Sequence, residues 1–165
     1  MGTGRPLAIV DIDGVVADVR HRLHHLEGGR KDWDAFFAAA PHDDVHPEGE
    51  AIVHRLAADH DVVFVTGRPV HLRRATVAWL DEHGFGGHEV VMRAGGDRRP
   101  AARVKLELIA ELGKHRTIGI VVDDDPLVLQ ALRAAGHPVF AADWERRAPE
   151  AEAARLEAQD IEGRS

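Results

Sequence analysis

Cysteine is absent from the 165 residues, which excludes disulfides and thiolate chemistry. No apolar run is long enough to span a bilayer, so a membrane partner is not expected. Met1 to Pro6 contains no apolar stretch of the signal-peptide kind, and a cytoplasmic location is the expectation. Positive charge is not in excess. The formal net charge of −7 argues against a wholly basic nucleic-acid-binding surface but leaves room for a local basic patch. Lysine is scarce and arginine carries nearly all the positive charge, so each lysine is a candidate for a specific role. No internal repeat stands out, and no low-complexity linker interrupts the chain before its tail.

What is present suits one globular domain with a substantial core, at 44% hydrophobic and 30% charged residues. Leu7-Ala8-Ile9-Val10 reads as a buried strand that stops abruptly at Asp11-Ile12-Asp13-Gly14. Further strands are expected at 61–66, 88–92, 117–122 and 138–141. Helices are expected at about 47–58, 70–83, 101–112 and 126–135. Asp125 is placed to cap the last helix, with Pro126 at its first position and Gly136 just past its end. Alternating strands and helices imply a mostly parallel five-stranded sheet of α/β class with right-handed crossovers. Residues from about 18 to 46 interrupt this alternation as a small helical insert. The domain is expected to run from 1 to 147, followed by an Ala/Glu-rich tail over 148–165.

Four polar features fall where strands end or just after. They are Asp11/Asp13, Thr66-Gly67-Arg68, Lys105 early in a helix, and Asp123/Asp124. On a strand, residues i and i+2 point to one side, so Asp11 and Asp13 are expected to leave the sheet edge together. That edge is where open α/β sheets bind ligands. Side-by-side carboxylates repel unless a cation or a shared proton offsets them, and Mg²⁺ takes oxygen ligands. Carboxylates, a hydroxyl and a lysine at one edge suit phosphoryl transfer. Asp serves as a covalent nucleophile, a second carboxyl moves protons, and cationic and N–H donors stabilise the phosphoryl oxygens.

In this order, Asp11-Ile12-Asp13-Gly14-Val15, Val65-Thr66-Gly67-Arg68, Lys105 and Val122-Asp123-Asp124 resemble the four motifs of the haloacid dehalogenase (HAD) superfamily of phosphohydrolases. The resemblance covers about residues 7 to 144 and implies a Rossmann-like fold. It implies that Asp11 is the nucleophile and that Asp13 is the general acid/base with its carbonyl on Mg²⁺. Thr66 is implied to bind the transferred phosphoryl group, and Lys105 to hold the nucleophile and phosphate oxygens. Asp11, Asp13, Asp123 and Asp124 form the implied metal set.

A narrower resemblance lies in Arg93-Ala94-Gly95-Gly96-Asp97-Arg98-Arg99, with Lys105 six residues on. It is similar to the phosphatase half of phage-type polynucleotide kinase-phosphatases, which remove 3′-phosphates from nucleic-acid ends. Gly67, Arg68, Arg93, Asp97 and Arg99 are then the implied substrate-binding residues. Arg68, Arg93 and Arg99 would place guanidinium forks beside the scissile phosphate, and Asp97 would orient one of them. The chain has no Gly-x-x-x-x-Gly-Lys-Ser/Thr loop, so a kinase half is not expected in these residues. The expected substrate is a nucleic-acid 3′-end or a nucleotide. A small-molecule phosphatase such as a nucleotidase is the alternative, and a non-catalytic HAD-fold binding protein is the more distant one.

Outside these motifs, His21, His24 and His25 suit a solvated or packing role better than a zinc site, given no cysteine. Trp33, Phe36 and Phe37 stand at helical spacing and fit the core of the insert better than a base-stacking platform. Ile161-Glu162-Gly163-Arg164 reads either as a protease-recognition sequence or as native chain.

Overall fold

A computed structural model of the protein describes residues 4–145. The tail expected over 148–165, including Ile161 to Arg164, lies outside the described residues. The chain opens with β1 (Leu7–Val10), followed by β2 (Ala17–Asp18), a 3₁₀ segment (Arg20–Leu26) and α1 (Trp33–Ala38). A 3₁₀ turn (Ala40–His42) leads to β3 (Asp44–Val45), α2 (Pro47–Ala57) and β4 (Asp61–Pro69). Next come a 3₁₀ turn (Val70–Leu72), α3 (Arg73–Glu82), β5 (Glu89–Arg93) and α4 (Ala101–Gly113). The alternation closes with β6 (Ile118–Asp123), α5 (Pro126–Ala134) and β7 (Val139–Ala141).

The five long-range strands form one sheet in the order β5-β4-β1-β6-β7, every neighbouring pair parallel. β1 lies at its centre, and each of its four residues is at most 1% exposed. Its side chains alternate between two cores. Ala8 and Val10 join Val53 of α2 and Trp79 and Leu80 of α3 on one face. Leu7 and Ile9 join Ala101 and Ile109 of α4 and Val128 and Leu132 of α5 on the other. A strand buried on both faces needs apolar residues at every position, as Leu-Ala-Ile-Val supplies. Truncating Ile9 to Ala in such a setting costs about 2–5 kcal/mol.

Two departures from the sequence reading matter for the site. β4 does not stop at Thr66 but continues to Pro69, with a register shift between Thr66 and Pro69 against β5. Gly67 and Arg68 sit in that irregularity, where the Arg93 Nε donates to the Gly67 carbonyl at 3.0 Å in place of a regular ladder bond. The insert is also more than two helices: β2 and β3 pair antiparallel and close its base. Its interior is a small core of Val19, Leu23, Leu26, Trp33, Phe36 and Phe37. Trp33 and Phe36 meet edge to face at 5.6 Å, so the aromatic triplet packs the insert, as its spacing suggested.

The end of the described chain ties back to the insert. Glu145 accepts from the Val19 N–H at 3.1 Å and contacts His46 Nε2 at 2.7 Å. Trp144 Nε1 donates to the Val15 carbonyl at 2.9 Å. Gly49 lets α2 approach the loop after β1, because a Cβ there would collide with the Val15 carbonyl.

Candidate active site

The site forms at the C-terminal edge of the sheet, where β1, β4 and β6 end side by side. β1 ends at Val10, so Asp11 and Asp13 lie just beyond it rather than on it. The expectation that a strand would aim both the same way therefore gives way to a sharper arrangement, in which each aspartate has its own cations. Gly14, at φ +81°, turns the chain immediately afterwards. A Cβ at that position would strike the Asp124 carboxylate, so glycine permits the close approach of the two loops.

Asp11 belongs to a lysine-carboxylate cluster. Lys105, in the second turn of α4 and 2% exposed, places Nζ 3.1 Å from Asp11 and 2.8 Å from Asp123. Burial alone would lower the Lys105 pKa, but Asp11 and Asp123 overcome it and hold the ammonium protonated far into the alkaline range. Burial pushes the Asp11 carboxyl well above its usual value, Lys105 opposes this, and Asp123, Asp124 and Asp13 add to it. Ligand oxygens of Asp11, Asp123 and Asp124 all lie within 4.8 Å of one another. Asp123 also accepts from the Asp125 N–H at 3.0 Å, and Asp125 caps α5 through the Leu127 N–H.

Asp13 belongs to a second cluster, built on arginine. Arg68 places Nη2 2.5 Å and Nε 3.1 Å from Asp13 Oδ1. Arg22 places Nη2 2.8 Å from the same oxygen and 2.8 Å from Asp43 Oδ2, with its Nε 2.8 Å from Asp43 Oδ1. Burial favours the neutral acid at Asp13, but Arg68 and Arg22 outweigh it and hold the carboxyl well below the usual carboxylate range. Asp43 is pushed up by burial despite its bonds to Arg22. The Arg22 guanidinium also lies 4.2 Å over the Phe36 ring, which anchors it to the insert core.

Arg22 and Asp43 were not among the residues singled out from the sequence. The signal for Arg22 was present, because it falls on the buried stripe of Val19, Leu23 and Leu26 at helical spacing. A fully buried arginine there demands a carboxylate partner. Nothing local marks Asp43 off from Asp44 beside it.

The residues inferred from the sequence to bind substrate are held by groups of the protein itself. The Arg68 guanidinium is on Asp13, with a further bond to Thr76 Oγ1 at 3.3 Å. Arg93 is 1% exposed, and its guanidinium donates to the carbonyls of Gly67, Asp97 and Arg99. It builds the loop from the inside rather than presenting a fork to solvent. Arg99 is bound by Asp97 on two sides and by Glu107 of α4 at 2.6 Å. Asp97 does orient an arginine, as expected, and Arg99 holds its carboxyl down to about 2. Thr66 is fully buried, and its hydroxyl accepts from the Arg68 N–H at 3.2 Å.

The histidine run forms no metal cluster among the described residues. His21 Nε2 lies 2.6 Å from Asp43, and the rings of His24 and His25 meet at a tilt with centroids 4.0 Å apart. A second grouping, Asp18, His46 and Glu145, is held by its own contacts: Arg20 on Asp18, and His46 with the Val19 N–H on Glu145.

The residues fit a divalent cation. In the two linked clusters, the carboxylates of Asp11, Asp13, Asp43, Asp123 and Asp124 outnumber the buried cations Arg22, Arg68 and Lys105, and His21 adds a contact to Asp43. A divalent cation would offset the repulsion among these carboxylates, and the all-oxygen donor set of Asp11, Asp123 and Asp124 is of the type Mg²⁺ takes.

The family of the polynucleotide kinase PNKP phosphatase domain matches residues 6–144. No curated protein matches the chain. Chains in two structures of the Pnkp1/Rnl/Hen1 RNA repair complex superpose with a TM-score of 0.69 at 22% and 23% identity. Each match covers 85% of this chain but only 43% and 47% of the other, so this chain spans less than half the length of those proteins. The class C acid phosphatase from Bacillus anthracis matches at TM-score 0.61 and 15% identity, over 94% of this chain and 80% of its own. A haloacid dehalogenase-like family protein from Streptococcus pneumoniae matches at TM-score 0.57 and 11% identity, over 85% of each chain.

Proposed function

The chain belongs to the polynucleotide kinase PNKP phosphatase domain family of HAD-superfamily phosphatases, and from that premise we propose that it is a Mg²⁺-dependent phosphomonoesterase removing 3′-phosphates from polynucleotide ends. The observation that carries the reading is the division of labour between two neighbouring aspartates: Asp11 faces a lysine and two metal-type carboxylates, and Asp13 faces two arginines.

Asp11, Asp123 and Asp124, with the Asp13 carbonyl, would hold the Mg²⁺, which when bound lowers the repulsion between the Asp11 carboxylate and an incoming phosphate. The Asp11 oxygen attacks phosphorus, the bond to the 3′-oxygen breaks, and the leaving alkoxide takes a proton from Asp13. This leaves an aspartyl-phosphate on Asp11. Asp13 then takes a proton from water, water attacks phosphorus, and phosphate departs with Asp11 regenerated. Lys105 stays charged throughout and stabilises the anionic phosphoryl oxygens together with the Thr66 hydroxyl.

Asp13 rests ionised between its arginines, which is the form a general base needs. Acting first as an acid requires its carboxyl to hold a proton. A substrate phosphate that shares Arg68 and Arg22 weakens their hold on the carboxylate and raises its affinity for that proton. The arginine pair thus couples the protonation of Asp13 to the arrival of an anion.

The test is phosphate release, with and without Mg²⁺, from a 3′-phosphorylated oligonucleotide, a 3′-mononucleotide and an aryl phosphate. Preference for the oligonucleotide supports the reading. Equal or better use of the mononucleotide makes the protein a nucleotidase, and no release from any of the three marks a non-catalytic binding protein.

A further inference from the structure

Beside the two clusters lies a groove of about 320 Å³ that neither catalytic cluster occupies. Its lining comes from three parts of the chain: Phe37 and Ala38 from α1, Pro69 at the end of β4 with Leu72 just beyond it, and Arg93 at the end of β5 with Gly96 to Arg98 from the loop that follows. That volume is at the lower end of small-ligand pockets, about 300–1,000 Å³. The floor of Phe37, Pro69 and Leu72 is apolar, and Asp34, His71 and Arg98 stand exposed around it. Pro69 directly follows Arg68, whose guanidinium is on Asp13. It is also three residues past Thr66, a span of about 10 Å in extended chain. The groove therefore begins within one nucleoside's length of the position the phosphate must take.

The exposed cations on this groove and next to Leu72 in sequence differ from those at the centre. Arg22, Arg68, Arg93 and Arg99 are committed to protein carboxylates or carbonyls. Arg98, on the groove wall, and Arg73 and Arg74, which follow Leu72 at the start of α3, are exposed. None of the three has an ion pair among the described residues, although carboxylates outnumber lysine and arginine in the chain. Cations left uncommitted on an acidic protein are available to an anion from outside.

We propose that this groove receives the base of the 3′-terminal nucleoside of a single-stranded end, and that Arg98 with the Arg73/Arg74 pair takes the next phosphate along the strand. This assignment rests on the polynucleotide reading above and moves strand recognition from Arg99 to the groove, which Arg93 also lines. A flat aromatic ring lies on Phe37 and Leu72 with its edge toward Asp34, which accepts from an exocyclic amine. The apolar floor favours a base and not the bare charge of a small phosphorylated acid.

Ala38 is exposed on the groove rim, so Ala38→Trp fills the groove without disturbing the fold or either cluster. It is expected to lower kcat/KM on a 3′-phosphorylated oligonucleotide about tenfold, mainly through KM, and to leave hydrolysis of an aryl phosphate within about twofold. An oligonucleotide whose 3′-terminal residue lacks its base should be a poorer substrate for the unsubstituted protein and equally poor for Ala38→Trp. Arg98→Glu should reduce the dependence of log KM on log salt by about 0.7, the contribution of one single-strand phosphate. If the protein prefers the oligonucleotide but Ala38→Trp changes neither substrate, or changes both equally, the groove assignment is overturned and the polynucleotide reading stands. If the unsubstituted protein shows no preference for the oligonucleotide, both are overturned.

Discussion

Arg68 and Arg22 converge on one oxygen of Asp13, with Nη2 atoms 2.5 and 2.8 Å from Oδ1, although the two arginines lie 46 positions apart in the chain. Arg22 comes from the insert and Arg68 from the end of β4, so the insert is wired to the chemistry and is not an appendage. Removing either guanidinium leaves a buried carboxylate short of a partner, at a cost of about 3–5 kcal/mol. Arg22→Ala and Arg68→Ala are each expected to lower the unfolding free energy by that order and kcat by about 100-fold or more. Lysine at either position should restore stability in part but activity poorly, because an ammonium lacks the planar fork with which Arg22 holds both Asp43 oxygens while reaching Asp13. Chemical denaturation and steady-state kinetics on the four variants check this.

The same pair sets a pH dependence. The folded Asp13 carboxyl is held well below its ordinary value of about 3.9. Its stabilising contribution is therefore fully present above about pH 5 and drains away as pH falls through the unfolded value toward the lower folded one. The stability gap between the unsubstituted protein and Asp13→Asn should narrow steadily from about pH 5 to about pH 2. Denaturant titrations at several pH values read this directly. A gap that widens on acidification would mean that the arginines do not hold Asp13 ionised.

The proton role of Asp13 has its own signature. An aryl phosphate releases a leaving group that needs little protonation, whereas a sugar 3′-oxygen needs a proton. Asp13→Asn should lose about 10- to 100-fold more activity on the sugar phosphate than on the aryl phosphate, while Asp11→Asn should abolish both. Parallel kcat/KM measurements separate the two roles.

Metal binding should appear as stabilisation independent of turnover. Mg²⁺ at 100 times its dissociation constant adds about 2.7 kcal/mol to the folded state. Asp124→Asn and Gly14→Ala are both expected to shrink the resulting rise in Tm, the first by losing a ligand oxygen and the second by pushing the Asp124 carboxylate aside. Thermal unfolding with and without Mg²⁺ or a chelator provides the measurement.

Arg93 ties the loop together through three carbonyls, and this has a kinetic consequence. Arg93→Ala uncouples the carbonyls of Gly67, Asp97 and Arg99 from one another. It should therefore reduce activity on an oligonucleotide and on an aryl phosphate by similar factors. A selective loss on the oligonucleotide would return Arg93 to direct strand recognition.

The parallel sheet was readable in the sequence because buried strands must be apolar along their length, as Leu7–Val10 and Val62–Val65 are. The cap of α5 was readable because Asp125-Pro126 satisfies a local rule that needs no tertiary context. The juxtaposition of Asp11, Lys105, Asp123 and Asp124 followed from motif order together with sheet topology. What escaped the reading depended on side chains reaching across the fold. The spacing of Arg93 and Arg99 gave no indication that the Arg93 guanidinium bonds to three carbonyls or that Glu107 joins Asp97 on Arg99. Asp43 has no local mark at all, since its role exists only because Arg22 arrives from 21 residues away.

The central claim is a Mg²⁺-dependent 3′-phosphatase whose nucleophile is Asp11. Its most direct test is phosphate release in Mg²⁺ from one oligonucleotide sequence carrying the phosphate at either its 3′ or its 5′ end, with Asp11→Asn as the control. The account predicts release from the 3′-phosphate, little from the 5′-phosphate, and none from either with Asp11→Asn or after chelation. Equal release from both ends, or activity that survives Asp11→Asn, would contradict it.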